Sequence, residues 1–139
     1  MKVFFDNCLP PVFATTLDGF IRHRGHAAHH ISAISGLPKG RHSTDIEWIA
    51  HLKEAQEFWI FVSGDGRMLK NRAERAALRE AGLFGFILAP AFQKTPLHQA
   101  VATLVWRWPD IEAVTQLFEP PAIQEIPIQR SSKLITLPL

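Results

Sequence analysis

The segment Lys2-Val3-Phe4-Phe5 runs straight into Asp6 and Asn7 with no polar alternation. An unbroken run of this kind marks a strand buried on both faces, as in a parallel sheet covered by helices. Pro10-Pro11 then ends strand pairing, because proline has no N–H to donate. A second run, Phe58-Trp59-Ile60-Phe61-Val62, stops in the same way at Ser63-Gly64-Asp65-Gly66. In open α/β sheets, ligands bind outside the carboxyl ends of the strands. Two core strands that each deliver an aspartate to that edge predict an α/β fold with its chemistry at Asp6 and Asp65.

The remaining elements follow from punctuation and period. Pro10-Pro11 opens a helix whose buried stripe is Phe13, Leu17, Phe20 and Ile21, ended by Gly25. Residues 27–31 read as a short strand, and 34–43, with Gly36, Pro38 and Gly40, as a loop. Thr44-Asp45-Ile46-Glu47 is a capping-box pattern. Its helix reaches to about Phe58, with Ile46, Ile49, Ala50 and Leu52 inward. Arg72 to Ala81 is helical, closed by Gly82, with Ala73, Ala77 and Ala81 as its packing face. Phe84 to Ala89 is a strand. Thr95-Pro96 starts a helix to Trp108, and Pro109 begins another that ends near Phe118. Ile123 to Gln129 and Lys133 to Leu137 form a terminal hairpin. Strands alternating with helices imply a three-layer α/β/α sandwich with a mostly parallel central sheet.

The 139 residues, 47% hydrophobic and 20% charged, suit a single domain over 1–139. No apolar run approaches the roughly 20 residues of a membrane helix, and Asp6 interrupts what a secretory leader would need. The one cysteine, Cys8, excludes an internal disulfide and suits a reducing compartment, so a cytoplasmic protein is expected. Cys8 reads as a small buried thiol rather than a nucleophile. The seven histidines lack zinc-type spacing with cysteine, and the four tryptophans fall at core positions.

A net charge of +2 is too mild to indicate nucleic-acid binding, but its distribution is informative. From Arg67 to Arg79 there are five basic residues (Arg67, Lys70, Arg72, Arg75 and Arg79) against one acid, Glu74. Arg72, Arg75 and Arg79 share one helix stripe, which suits gripping phosphates without reading bases. The plainer reading is a solvated helix face.

Asp6, Asp45 and Asp65 stand at element ends that meet at one edge if the Asp45 helix enters from that side. Converging carboxylates need a cation or a proton to relieve their repulsion. Hard oxygens without His or Cys suit Mg²⁺ or Mn²⁺, which can orient a phosphodiester and activate water. Each acid also has a plainer role: Asp6 as a helix cap, Asp45 as a first-turn charge on the helix dipole, Asp65 as a turn residue. Glu47 reads as the capping-box partner.

The stretches Lys2-Val3-Phe4-Phe5-Asp6-Asn7-Cys8-Leu9-Pro10, Thr44-Asp45-Ile46-Glu47-Trp48-Ile49, Phe61-Val62-Ser63-Gly64-Asp65-Gly66-Arg67 and Phe86-Ile87-Leu88-Ala89-Pro90 resemble a PIN-like domain, the nuclease fold of VapC-type toxins. The resemblance spans roughly residues 1 to 92. It implies an Mg²⁺- or Mn²⁺-dependent endoribonuclease that acts on RNA, commonly a toxin neutralised by an antitoxin protein and often a homodimer. By position, Asp6, Asp45 and Asp65 are the implied catalytic and metal-site acids. Asn7, Ser63, Arg67, Lys70, Arg72, Arg75 and Arg79 are the expected substrate contacts. Two departures stand out. Arg67 occupies the place of the family's second aspartate, and the acid carried on an earlier helix has no clear counterpart. They motivate an alternative, a PIN-like module that binds RNA or protein with weak or no catalysis. A phosphatase of small phosphoesters is a third reading of the same acids.

Overall fold

The computed structural model describes residues 1–139. Its strands are β1 (Lys2–Phe5), β2 (Ala27–His30), β3 (Trp59–Ser63), β4 (Phe84–Leu88), β5 (Ala122–Ile126) and β6 (Ile135–Leu137). Its helices are α1 (Pro11–Ile21), α2 (Asp45–Glu54), α3 (Arg72–Ala81), α4 (Leu97–Trp106) and α5 (Trp108–Leu117). The six strands form one sheet in the order β2-β1-β3-β4-β5-β6. All pairs are parallel except β5–β6. None of the helices is long and apolar enough to cross a membrane.

Strand parity divides the core into two layers, as expected when both faces are covered. Val3, Phe5, Ile60, Val62, Phe84 and Phe86 face one way and pack on α1, α4 and α5. Phe4, Trp59, Phe61 and Ile87 face the other way and pack on α2 and α3. Three helices thus cover one face and two the other. Gly85 lets the ring of Phe61 lie across β4, since a Cβ there would fall 2.1 Å from the ring.

Several local expectations shift. Phe20 points outward, 42% exposed, because the inner face of α1 is Phe13, Ala14, Leu17 and Ile21. On α2, Ile46 and Ala50 are exposed, and Trp48, Ile49 and Leu52 form the core contact. The indole of Trp48 fixes that rotation by stacking on Phe4. The helix stops at Glu54, where Ala55 turns extended. On α3, Ala73 is exposed, and Ala77, Leu78 and Ala81 face the core. Trp106 is exposed beneath the guanidinium of Arg130, unlike the three buried tryptophans. The last two strands are not a tight hairpin. β5 joins the parallel sheet, and residues 127–134 loop out before β6 returns antiparallel. That loop is held by Arg107, which is 2% exposed and donates to the carbonyls of Pro127 and Gln129.

Strand order reverses between β1 and β3, because β1 pairs with β2 on one side and β3 on the other. That seam is the topological switch point, where such sheets open a ligand crevice.

Candidate active site

Asp6 follows β1 and Asp65 follows β3, so both stand at the switch-point edge. In a parallel sheet, a helix leading into a strand runs antiparallel to it, so its N-terminus lies at the strands' carboxyl edge. The first turns of α2 and α3 therefore bring Asp45 and Glu74 to the same edge, and the two helices pack side by side. Both caps are locally encoded. Thr44 and Glu47 exchange the two hydrogen bonds of a capping box, and the Asn71 side chain accepts from the Glu74 N–H.

Asp6 is 5% exposed, and each of its oxygens accepts a hydrogen bond. The Ser63 hydroxyl donates to Oδ2 at 2.6 Å, and the Cys8 thiol donates to Oδ1. Burial pushes the Asp6 carboxyl up to about 6, and the nearby charge of Asp45 adds to the rise. Ser63 Oγ also accepts from the Asp65 N–H at 3.0 Å. Asp45 is held by the buried Trp48, whose Nε1 donates to its Oδ1 at 2.9 Å.

Asp65 carries a different partner. Arg67 donates to both of its oxygens, with Nη2 at 2.8 Å from Oδ2, and this holds the Asp65 carboxyl below the usual range. Glu74 is raised by burial and then by the charges of Asp45 and Asp65. Asp45 thus acts on Asp6 and on Glu74, Asp65 acts on Glu74, and Arg67 is felt by Asp65 and Asp45 at the same edge.

The structure places the other expected residues unevenly. Ser63 is fully buried, so it braces the two aspartates. Asn7 is exposed beside Asp6. Arg67, Lys70 and Arg75 line a cavity of about 760 Å³ next to the acids. Arg75 is half-buried and donates to the Leu69 carbonyl. Arg72 and Arg79 are exposed on α3 and do not line that cavity.

Cys8 differs from expectation. The residue is exposed at the cleft mouth rather than buried, though its sulfur turns in toward Asp6, Ser63 and the Gly64 N–H. Its thiol is pushed up to about 12 by burial of the sulfur and by the charge of Asp6, so it serves as a donor and not as a nucleophile. His30 steadies the turn that carries Cys8, since its Nε2 donates to the Leu9 carbonyl at 2.9 Å.

Glu74 is the acid that sequence reasoning missed. In the sequence it stands out only as the single acid within a basic run. The rule that singled out Asp45, an acid in the first turn of a helix beside the central strand, applies equally to it.

Whether these acids suit a divalent cation is decided by their geometry and their present partners. No three His, Cys, Asp or Glu side chains stand close enough together to ligate one ion. Asp6 is engaged by Ser63 and Cys8, and Asp65 by Arg67. A closed protein cage is therefore not built here. The oxygen donors and their mutual repulsion do suit a hard cation that keeps most of its water and takes one or two carboxylates, as Mg²⁺ does.

A family model described as a PIN like domain matches residues 1–90. Among curated proteins and solved structures, none matches.

Proposed function

Because the chain belongs to the PIN-like domain family, a fold of nuclease type, we propose that it is an endoribonuclease working at the β1–β3 edge with Mg²⁺ or Mn²⁺. The observation that carries this reading is the gathering of four acids, Asp6, Asp45, Asp65 and Glu74, at that edge from four segments, where the charge of Asp45 reaches Asp6 and the charges of Asp45 and Asp65 reach Glu74. One or two of Asp6, Asp45 and Asp65 would hold the cation, which keeps most of its water, and the remaining acids with Glu74 would add charge beside it. Such an ion, when bound, offsets phosphate charge and supplies an activated water. Asp6 is fixed by two donors and Asp45 by Trp48, and Arg67, Lys70 and Arg75 line the adjacent cavity, where they would meet substrate phosphates. Replacing Asp6 by Asn should abolish cleavage of single-stranded RNA in Mn²⁺ while leaving the melting transition cooperative. Cleavage that survives both this change and EDTA rules the reading out.

The same reading extends to the cell. The chain would be the cytoplasmic toxin of a toxin–antitoxin pair, held inactive by a protein partner and able to pair with a second copy. Expression of the wild-type chain alone should then arrest growth, and the Asp6→Asn chain should not.

One feature favours a second reading, an RNA- or protein-binding module without turnover. Arg67 already neutralises Asp65 through both oxygens. RNA that is retained with a steep salt dependence but never shortened in Mn²⁺ decides for that module.

A further inference from the structure

We propose that the cavity beside the acids is a base-recognition subsite for single-stranded RNA, in which Glu125 reads the Watson–Crick edge of a guanine. This rests on the reading that RNA is the substrate. It adds which base is selected and by which residue.

The subsite exists because the sheet is unevenly covered. After β4 the chain sends both remaining helices, α4 and α5, to the face already holding α1. The opposite face, beyond α3, has no helix over the carboxyl ends of β4 and β5. The cavity of about 760 Å³ opens there, within the roughly 300–1,000 Å³ typical of small-ligand sites. One wall is cationic, from Arg67, Lys70 and Arg75. Ile87 of β4, with Leu137 and Pro138 at the end of the chain, adds apolar lining. A cationic wall facing an apolar slot is the amphipathy of a nucleotide, with its phosphate by the arginines and its base against the aliphatic side chains.

Glu125 stands in the same cavity, half-buried, with no direct ion-pair partner. Strand register places it in line with Ile87 and Ser63, which are partners across β3, β4 and β5. It is two strands from Ser63 and three from Asp6, about 14 Å from the latter at the ordinary strand spacing. A nucleotide with its phosphate near Arg67 can reach it.

An ionised carboxylate only accepts hydrogen bonds. Guanine alone among the four bases presents two adjacent donors, N1–H and the 2-amino group, on its pairing edge, and these match the two oxygens of one carboxylate. Adenine and cytosine each offer an amino donor beside an acceptor, and uracil offers one N–H flanked by two acceptors. The pairing edge is accessible only in unpaired RNA, whose bases can be splayed out. Glu125, Leu137 and Pro138 all lie outside the family-matched residues 1–90. Base choice would therefore be set by residues outside the family-matched part of the chain.

The test is fluorescence anisotropy in EDTA with labelled pentaribonucleotides, UUXUU, where X is G, A, C, U or inosine. The G probe should bind roughly ten-fold more tightly than the U probe, the size of one good carboxylate–base pair. Inosine, which lacks the 2-amino group, should lose most of that advantage. Glu125→Gln should level the preference. Equal binding of all five probes, no binding at all, or a guanine preference retained by folded Glu125→Gln overturns the proposal. If that variant does not fold, the inosine comparison on the wild-type chain decides alone. Guanine preference without cleavage in Mn²⁺ leaves this inference standing and removes the nuclease reading. Cleavage without base preference does the reverse.

Discussion

The Ser63 hydroxyl donates to Asp6 Oδ2 at 2.6 Å across the β1–β3 seam, and both side chains are almost wholly removed from solvent. The same oxygen of Ser63 accepts from the Asp65 backbone, so one hydroxyl ties together the two strand-end aspartates. Its hydrogen bond favours the ionised form of Asp6 against the cost of burial. Ser63→Ala removes that donor, so the Asp6 carboxyl should climb further above about 6. A lost hydrogen bond at a buried acid costs about 1–3 kcal/mol. Chemical denaturation should show the loss, and the acid limb of the cleavage profile should move to higher pH.

Stability itself should depend on Asp6, with a definite sign. Its carboxyl is raised from 3.8 in the free side chain to about 6 in the folded protein. The folded state therefore holds the proton more tightly than the unfolded state. The associated stability is fully present below pH 3.8 and is lost as pH rises through about 6. A rise of this size is worth about 3 kcal/mol at most. Asp6→Asn removes the ionisation, so in EDTA it should melt higher than wild type at pH 8, by about 1–3 kcal/mol of stability, and the two should converge near pH 4. A constant difference across that range would mean that Asp6 is not the group responsible.

The acids became legible in the sequence because strand ends and helix caps are local signals. Phe5-Asp6, Val62-Ser63-Gly64-Asp65 and the Thr44 capping box each fix a carboxylate at an element end, and parallel topology then gathers element ends at one edge. The sheet and its two-sided core followed from the same runs. Contacts were not legible. Nothing in the spacing says that Arg67 folds back on Asp65, that the Cys8 sulfur turns inward, or that the Ser63 hydroxyl bridges Asp6 and Asp65. Helix rotation also escaped at its margins. Phe20 and Ile46 are apolar residues one step off the buried stripe, and only packing decides which way they turn. Glu125 was hidden because it sits mid-strand in a region placed in a simple hairpin.

Gly85 should tolerate no side chain. A Cβ there would lie 2.1 to 2.8 Å from three atoms of the Phe61 ring. That ring is fully buried and packs on Trp48, whose indole holds Asp45. Overpacking of this kind costs typically about 1–3 kcal/mol, occasionally more. Gly85→Ala should lower the denaturation midpoint accordingly. Because relief requires Phe61 and Trp48 to shift, cleavage should fall by more than the remaining folded fraction accounts for. Activity that tracks the folded fraction alone would separate Asp45 from this packing chain.

Arg67 is the residue whose removal separates the two functional readings. Its side chain is 87% exposed, yet its guanidinium stays on Asp65 and is also felt by Asp45. A cation fixed there opposes a second cation at the same carboxylates. Arg67→Gln should therefore strengthen Mn²⁺ binding, read by calorimetry on the free protein, even though it removes a residue placed toward RNA. It should also weaken RNA binding and reduce the slope of log affinity against log salt by about one, as expected when a single phosphate contact is lost. Both changes together describe an arginine that the substrate draws off Asp65, leaving the acid free for the metal. If the salt slope falls while neither wild type nor Arg67→Gln binds Mn²⁺, the acids are not a metal site even when released, and the chain is an RNA-binding module.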